Sequence, residues 1–361
     1  MRHGRSVGVT DKAKSLRRSD GTLAVSRERL PWPAGRRFRI LSIDGGGIRG
    51  ILPATVLGEF ERRYLGGQCA GDYFDLIAGT STGGIIALGL ANGLPASRIL
   101  ELYVDFGKEI FPKRRRLLGL GRAWDFVRSL HLYRYDRTPL ERQLVRIFGE
   151  RRYGEAQRRL CVPSFDGFTE VNVFKTPHHP DFRLDWKEKI TTVALATSAA
   201  PTFFSVYQNG NRQFSDGGVW ANNPVMIGLV DALTCNDLVP CNVDILSLGC
   251  GEQEMRVTSA QLRFGGMLHW RQIISSAMNL ASQNAVGQAG LLIGRQNLIR
   301  IDAPLLGKPV ALDDVDRSVA ELQPLGARLA DRYGQDVSNR FFAEPAEPYR
   351  AFHGPRTVTA T

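Results

Sequence analysis

Ser81 stands in Gly79-Thr80-Ser81-Thr82-Gly83, a GxSxG string between the apolar run Tyr73–Gly79 and a stretch of small residues, Thr82–Ala91. A nucleophile elbow demands this context: a strand, a turn so sharp that only small residues fit two places either side of the serine, then a helix. Such a turn lifts the hydroxyl clear of the sheet to a helix N-terminus, where the dipole favours developing negative charge. The chemistry indicated is acyl transfer. A glycine-rich turn carrying a solvated serine gives the same five letters, but the flanking strand and helix argue against it.

A second turn, Gly45-Gly46-Gly47-Ile48-Arg49-Gly50, follows the apolar run Phe38–Asp44 and satisfies GxGxxG. Dinucleotide binding is the obvious reading of that string. Asp44, however, would set a carboxylate against the pyrophosphate. The next strand ends in Gly-Thr-Ser where an acid should hold a ribose, and its only acid, Asp75, lies near its beginning. Oxyanion binding suits the glycines better, because N–H groups without side chains beside them approach a carbonyl oxygen closely. Arg49 adds positive charge or anchors the loop.

A serine needs a base. His131 lies in a basic stretch, His178 and His179 in a proline-bounded loop, His269 in a helical segment and His353 near the end of the chain. None has the strand-end or glycine-rich setting of a triad histidine. Ser215-Asp216-Gly217-Gly218 offers a carboxylate in a tight turn that another side chain can approach. An aspartate titrates at about 4 in water, so it serves as a base only where it is desolvated against the hydroxyl. Spacing alone leaves His178, His179 and Asp216 open.

The three motifs resemble, in order and rough spacing, those of the patatin-like phospholipases. Ser198-Ala199-Ala200-Pro201-Thr202-Phe203-Phe204 and Ala221-Asn222-Asn223-Pro224 are similar to that family as well. The resemblance covers about residues 38–250 and implies hydrolysis of lipid acyl esters by a Ser-Asp dyad without a catalytic histidine. It implies Ser81 as nucleophile, Asp216 as base, and Gly45, Gly46, Gly47 and Arg49 as the oxyanion site. Gly79 and Gly83 are then the elbow glycines, and Gly217 and Gly218 those of the aspartate turn. No metal and no cofactor is called for. Bacterial members of this size include effectors switched on by cyclic nucleotides in anti-phage signalling, which implies a cyclic di- or trinucleotide activator. A soluble esterase or thioesterase with the same dyad is the competing enzyme. The competing non-enzyme is a basic nucleotide- or nucleic-acid-binding protein.

The elements that must position these residues alternate from residue 38 onward. Strand signals at Phe38–Asp44, Tyr73–Gly79, Val243–Leu248 and Asn297–Ile301 are interleaved with helical periodicity at Ile51–Tyr64, Thr82–Ala91, Ala96–Phe111, Met267–Ala289 and Leu322–Phe342. This βαβ alternation predicts an α/β three-layer sandwich with a mostly parallel central sheet. The expected organisation is a disordered basic arm over 1–36, a hydrolase domain over 37–344 with C-terminal helices from about 255, and a loose tail over 345–361. Residues 112–137, rich in arginine and aromatics, read as an insertion over the sheet.

The 361 residues carry a net charge of +11, which favours anionic partners such as a lipid surface over neutral ones. Membrane phospholipid at the bilayer surface is the expected substrate, nucleic acid is not an expected partner, and a homo-oligomer is compatible with the sequence. No run of about 18 apolar residues is present to span a bilayer. Five cysteines without CxxC pairing read as reduced thiols. The expected location is cytoplasmic, with peripheral contact at the inner face of the membrane.

Overall fold

A computed structural model describes residues 27–113, 133–167, 170–252, 273–305 and 310–357. The sheet contains β1 (Phe38–Ile43), β2 (Leu76–Gly79), β3 (Arg159–Asp166), β4 (Glu170–Lys175), β5 (Tyr207–Asn209), β6 (Arg212–Asp216), β7 (Val243–Leu248) and β8 (Leu298–Ile301). β3, β2, β1, β7 and β8 lie side by side and parallel. β1 and β7 are buried along their whole lengths, which is why both read as unbroken apolar runs. Chain order reverses between β1 and β7. At that switch point, crevices open beyond the carboxyl ends of the strands.

Side-chain alternation sorts the strands onto two cores. Leu41, Ile43, Ile77, Leu160, Val162, Leu246 and Leu248 face one, and Phe38, Ile40, Leu76, Ala78, Cys161, Val243 and Ile245 face the other. On the first face pack α1 (Ile51–Tyr64), α2 (Thr82–Ala91), α3 (Ala96–Ile110), α4 (Thr138–Phe148), α5 (Ile190–Thr197) and, after two elements of the opposite face, α8 (Gln323–Phe341). On the second face pack α6 (Val225–Cys235) and α7 (Ile273–Ile293). The three-layer, mostly parallel arrangement therefore holds. Central α2 is buried at every position, and so has no polar face.

The antiparallel strands were not legible in the sequence, and they matter most for the site. β4 pairs β3 along Cys161–Asp166, so β2 and β6 must share the other edge. β2 pairs β3 only as far as Cys161, and β6 takes over from Ser164. Asp216, opposite Ser164, is thereby delivered just past the end of β2, where the serine turn begins. The strand expected over Tyr73–Gly79 is present from Leu76, and Tyr73 instead closes a 3-10 turn over Ala70–Tyr73. A Cβ on Gly71 in that turn would meet the Leu90 carbonyl at 2.6 Å, so this turn seats directly on the end of α2.

The expected boundaries shift at both ends. Of the arm, residues 27–36 pack on the domain: the Trp32 ring lies 4.7 Å from that of Phe38, and Leu30 N–H bonds the Cys235 carbonyl. Of the tail, Ala346, Tyr349 and Ala351 are buried. Apolar side chains with a core to join override the proline- and arginine-rich setting. Residues 1–26, 253–272, 358–361 and most of the basic insertion (114–132) lie outside the described residues.

One buried carboxylate fastens the first layer. Glu61 accepts the N–H of Ala70 at 2.9 Å and that of Ala96 at 2.8 Å, and burial pushes it up to about 7. Glu61→Ala orphans both donors and is expected to cost about 2–4 kcal/mol, measured as a lower urea midpoint at unchanged slope.

Candidate active site

Ser81 caps the N-terminus of α2 with φ 55°, a left-handed backbone that costs a non-glycine residue of order 1 kcal/mol or more. Its surroundings impose the strain. A Cβ on Gly79 would lie 2.2 Å from the Gly83 carbonyl oxygen, and one on Gly83 would lie 2.3 Å from that of Ile43. The strand and helix approach too closely for any side chain at either place. Neighbouring groups fix the turn. Thr80 Oγ1 donates to the Ala221 carbonyl at 2.7 Å, and Ser81 N–H donates to Thr197 Oγ1 at 3.0 Å. Thr197 in turn donates to the Pro163 carbonyl at 2.6 Å, tying the turn to β3.

Ser81 Oγ donates to Asp216 Oδ2 at 2.6 Å, and Asp216 Oδ1 accepts Gly218 N–H at 2.7 Å. Burial pushes Asp216 up to about 6, against the bonds from Ser81 and Gly218 that hold it down. A desolvated carboxylate with a raised pKa is the condition under which aspartate accepts a hydroxyl proton. A Cβ on Gly217 would meet the Pro163 carbonyl at 2.3 Å, so glycine there lets the aspartate turn sit against β3.

The glycine loop lies beside the serine. A Cβ on Gly45 would come within 2.6 Å of Asn222 Oδ1 and 3.3 Å of Ser81 Cβ. Gly45 N–H is already spent on the Asn222 carbonyl at 2.9 Å. Neither Gly46 N–H nor Gly47 N–H donates to a described residue. Arg49 spans the loop, with Nε 3.4 Å from the Gly46 carbonyl and Nη1 3.3 Å from that of Gly251. Holding the Gly46 carbonyl from one side turns the trans-related Gly47 N–H toward the other. The four residues expected at an oxyanion site thus divide into two free donors, one loop anchor and one brace.

Sequence reasoning missed what stands behind the loop. Asp44 is buried and bonds Arg300 at 2.8 and 3.1 Å and Ser282 Oγ at 3.1 Å. Burial pushes it up to about 6, with Arg300 opposing. Arg300 also meets Asp302, which accepts Gly251 N–H. A carboxylate next to a glycine loop was the available signal, but its partner is 256 residues away.

The histidines lie elsewhere. His178 bonds Asp231 at 2.7 Å and Thr176 at 2.8 Å, and burial pushes it down, so it is a neutral ring with both nitrogens engaged. His179 bonds the Glu28 carbonyl, and His353 that of Pro180. His131 and His269 fall outside the described residues. His178, Asp231 and Cys235 have ligand atoms within 4.8 Å of one another. Lys175 already meets Asp231 at 2.6 Å, supplying the cation this cluster needs.

A mostly parallel α/β sheet with a strained serine turn at one strand end and a free-donor glycine loop at the next sets a hydroxyl, a carboxylate and backbone donors around one point, an arrangement suited to acyl transfer. The chain belongs to the patatin-like phospholipase family, whose description matches residues 41–229. It is similar to the cGAMP-activated phospholipase of Escherichia coli, 33% identical over 344 residues, 87% of this chain and 95% of that one. The protein of the same name from Vibrio cholerae is 32% identical over 87% of this chain and 97% of its own. Patatin-like protein 1 of Oryza sativa subsp. indica is 33% identical over 65% and 64% respectively. Among the described residues no helix is long and apolar enough to cross a membrane.

Proposed function

We propose that this chain is a phospholipase that cleaves acyl esters of membrane phospholipids through Ser81 and Asp216 and is switched on by a cyclic nucleotide. The observation that carries the reading is the 2.6 Å bond from Ser81 Oγ to a desolvated Asp216. Asp216 takes the hydroxyl proton as Oγ attacks the ester carbonyl, and the N–H groups of Gly46 and Gly47 receive the oxyanion. The lysolipid leaves with that proton. Water, deprotonated by the same carboxylate, then releases the fatty acid and restores the serine.

Control by a ligand is supported by two facts. The relatives matched over 87% of this chain are named cGAMP-activated. Ser81 and Asp216 are only 8% and 5% exposed, which leaves little room for an acyl ester beside them. Ser282 of α7 bonds Asp44, and Met278 of α7 lies 3.4 Å from where a Gly218 Cβ would be. In this reading α7 is the element that must shift. The same reading places the protein at the inner face of the membrane during anti-phage signalling.

The test is release of fatty acid from anionic phospholipid vesicles with and without cGAMP. Wild type should be nearly silent alone and strongly accelerated by the nucleotide, and Ser81→Ala should lose at least about 10³-fold. Activity confined to soluble short-chain esters would overturn the lipid reading. Equal rates with and without every cyclic di- and trinucleotide tried would overturn the switch.

A further inference from the structure

A cleft of about 280 Å³ opens at the opposite end of the sheet from Ser81. Its floor is the amino-terminal end of the parallel strands, where Arg159 begins β3 and Phe38 begins β1. Nothing in the acyl-transfer chemistry uses it.

Its lining is aromatic and basic. Trp32, Tyr349 and Phe352 contribute rings, and Arg36, Arg159 and Arg350 contribute guanidinium groups. The Arg159 guanidinium lies 5.5 Å from the ring centre of Trp32, 5.6 Å from that of Phe38 and 5.8 Å from that of Tyr349. Its Nε is buried without a hydrogen-bond partner, a donor that stays desolvated at a cost of about 1–3 kcal/mol. Arg36 stacks on Trp32 at 4.8 Å and pairs Asp75 and Glu347. Arg350 is exposed, stacks on Phe352 at 5.1 Å and makes no ion pair among the described residues. A planar base stacks on such rings, and guanidinium groups at its edge bind phosphate bidentately.

Apart from Arg159 and His178, the walls also lie outside the span shared with the common hydrolase. Leu30, Trp32, Arg36, Asn236, Tyr349 and Arg350 all lie outside residues 41–229, the span that matches the family. Both flanks of the chain fold back to form the cleft, while the dyad and glycine loop lie within that span. β1 and β3 start at the cleft, and they end at the glycine loop and opposite Asp216 respectively.

We propose that this cleft binds one purine nucleotide of a cyclic dinucleotide, the base taking the place of the Arg36 guanidinium on the Trp32 ring and the phosphate held by Arg350 and Arg159. The volume suits a single nucleoside and sits at the lower end of small-molecule pockets, about 300 Å³. The second nucleotide remains at the mouth, rimmed by the exposed Pro31, Pro33 and Pro348. The proposal rests on the activator reading above and assigns that activator its site.

Calorimetric titration of the full chain with cGAMP tests it without reference to hydrolysis. Trp32→Ala and Arg350→Glu are each expected to weaken binding at least 10-fold, and Arg350→Lys to weaken it less. Arg350 is exposed, so Arg350→Glu keeps the fold even if Trp32→Ala does not, and the melting temperature of each variant checks this. Unchanged affinity in Arg350→Glu and in folded Trp32→Ala would overturn the cleft and leave the activator reading standing. Wild type that binds no cyclic di- or trinucleotide would overturn both. Inorganic phosphate competing as well as the nucleotide would show an anion site only and overturn the nucleotide. Binding through Trp32 and Arg350 in a protein that cleaves no lipid would uphold the cleft and overturn the phospholipase.

Discussion

Replacing Asp216 by Asn is expected to abolish hydrolysis and, at neutral pH, to make the protein more stable. The amide keeps the shape of the turn and an acceptor for Gly218 N–H, but it takes no proton from Ser81. A loss of about 10³–10⁴-fold or more in kcat/KM follows for a removed catalytic base. The stability gain comes from the same burial. Asp216 titrates at about 6 in the folded protein, whereas an aspartate in the unfolded chain titrates at about 4. A folded pKa above the unfolded one means that this group's contribution is complete below about 4 and is lost as pH rises through 6. A difference of that size between the two states amounts to about 3 kcal/mol between these limits. Asp216→Asn should therefore exceed wild type by about 1–3 kcal/mol in urea unfolding at pH 8 and match it at pH 4. The wild-type rate should rise with pH along an acid limb near 6. A variant less stable than wild type at both pH values would contradict the claim that Asp216 is held desolvated for its task.

This trade of stability for reactivity bears on what was legible in the sequence. Ser81 was legible because its constraint is local: strand, glycine, serine, glycine and helix fit within a short window, and a Cβ at Gly79 would lie 2.2 Å from the Gly83 carbonyl oxygen, so the turn admits nothing larger. Asp216 was legible only through resemblance. It meets Ser81 from 135 residues away, and what brings it there is β6 replacing β2 along β3, a pairing between short, half-buried strands with no periodicity to read. The Arg300 and Ser282 partners of Asp44 left no signal for the same reason. Asp44 itself was read from sequence only as an obstacle to a pyrophosphate. Trp32 and Tyr349 were lost to the expected arm and tail because prolines and arginines around them look like linker. Their rings nevertheless find Phe38 and Arg159, and residues with a core to join stay on it.

The second large effect is expected where that unread network stands. Arg300→Met removes the cation facing Asp44 while leaving the carboxylate buried, its side chain only 4% exposed. Breaking one side of a buried pair costs about 3–5 kcal/mol, because the remaining charge is uncompensated. Asp44 already titrates at about 6 with Arg300 beside it, and without it the carboxylate must rise further. By the same sign argument the deficit should be greatest at pH 8 and shrink as acid neutralises Asp44. Asp44→Asn combined with Arg300→Met should be more stable than Arg300→Met alone at pH 8, since Asp302 is then the one carboxylate of the pair left without the Arg300 cation. Activity separates this network from a plain scaffold. Asp44 immediately precedes Gly45, and Arg300 also grips Asp302, which holds Gly251 beside Arg49. Loosening either side frees the Gly46 and Gly47 donors from a fixed direction, and losing one oxyanion donor is worth about 10²–10³ in rate. In the double variant, stability should therefore recover more than kcat does. Full recovery of both would assign the network to folding alone, and unchanged unfolding of Arg300→Met at pH 8 would show that Asp44 does not depend on it.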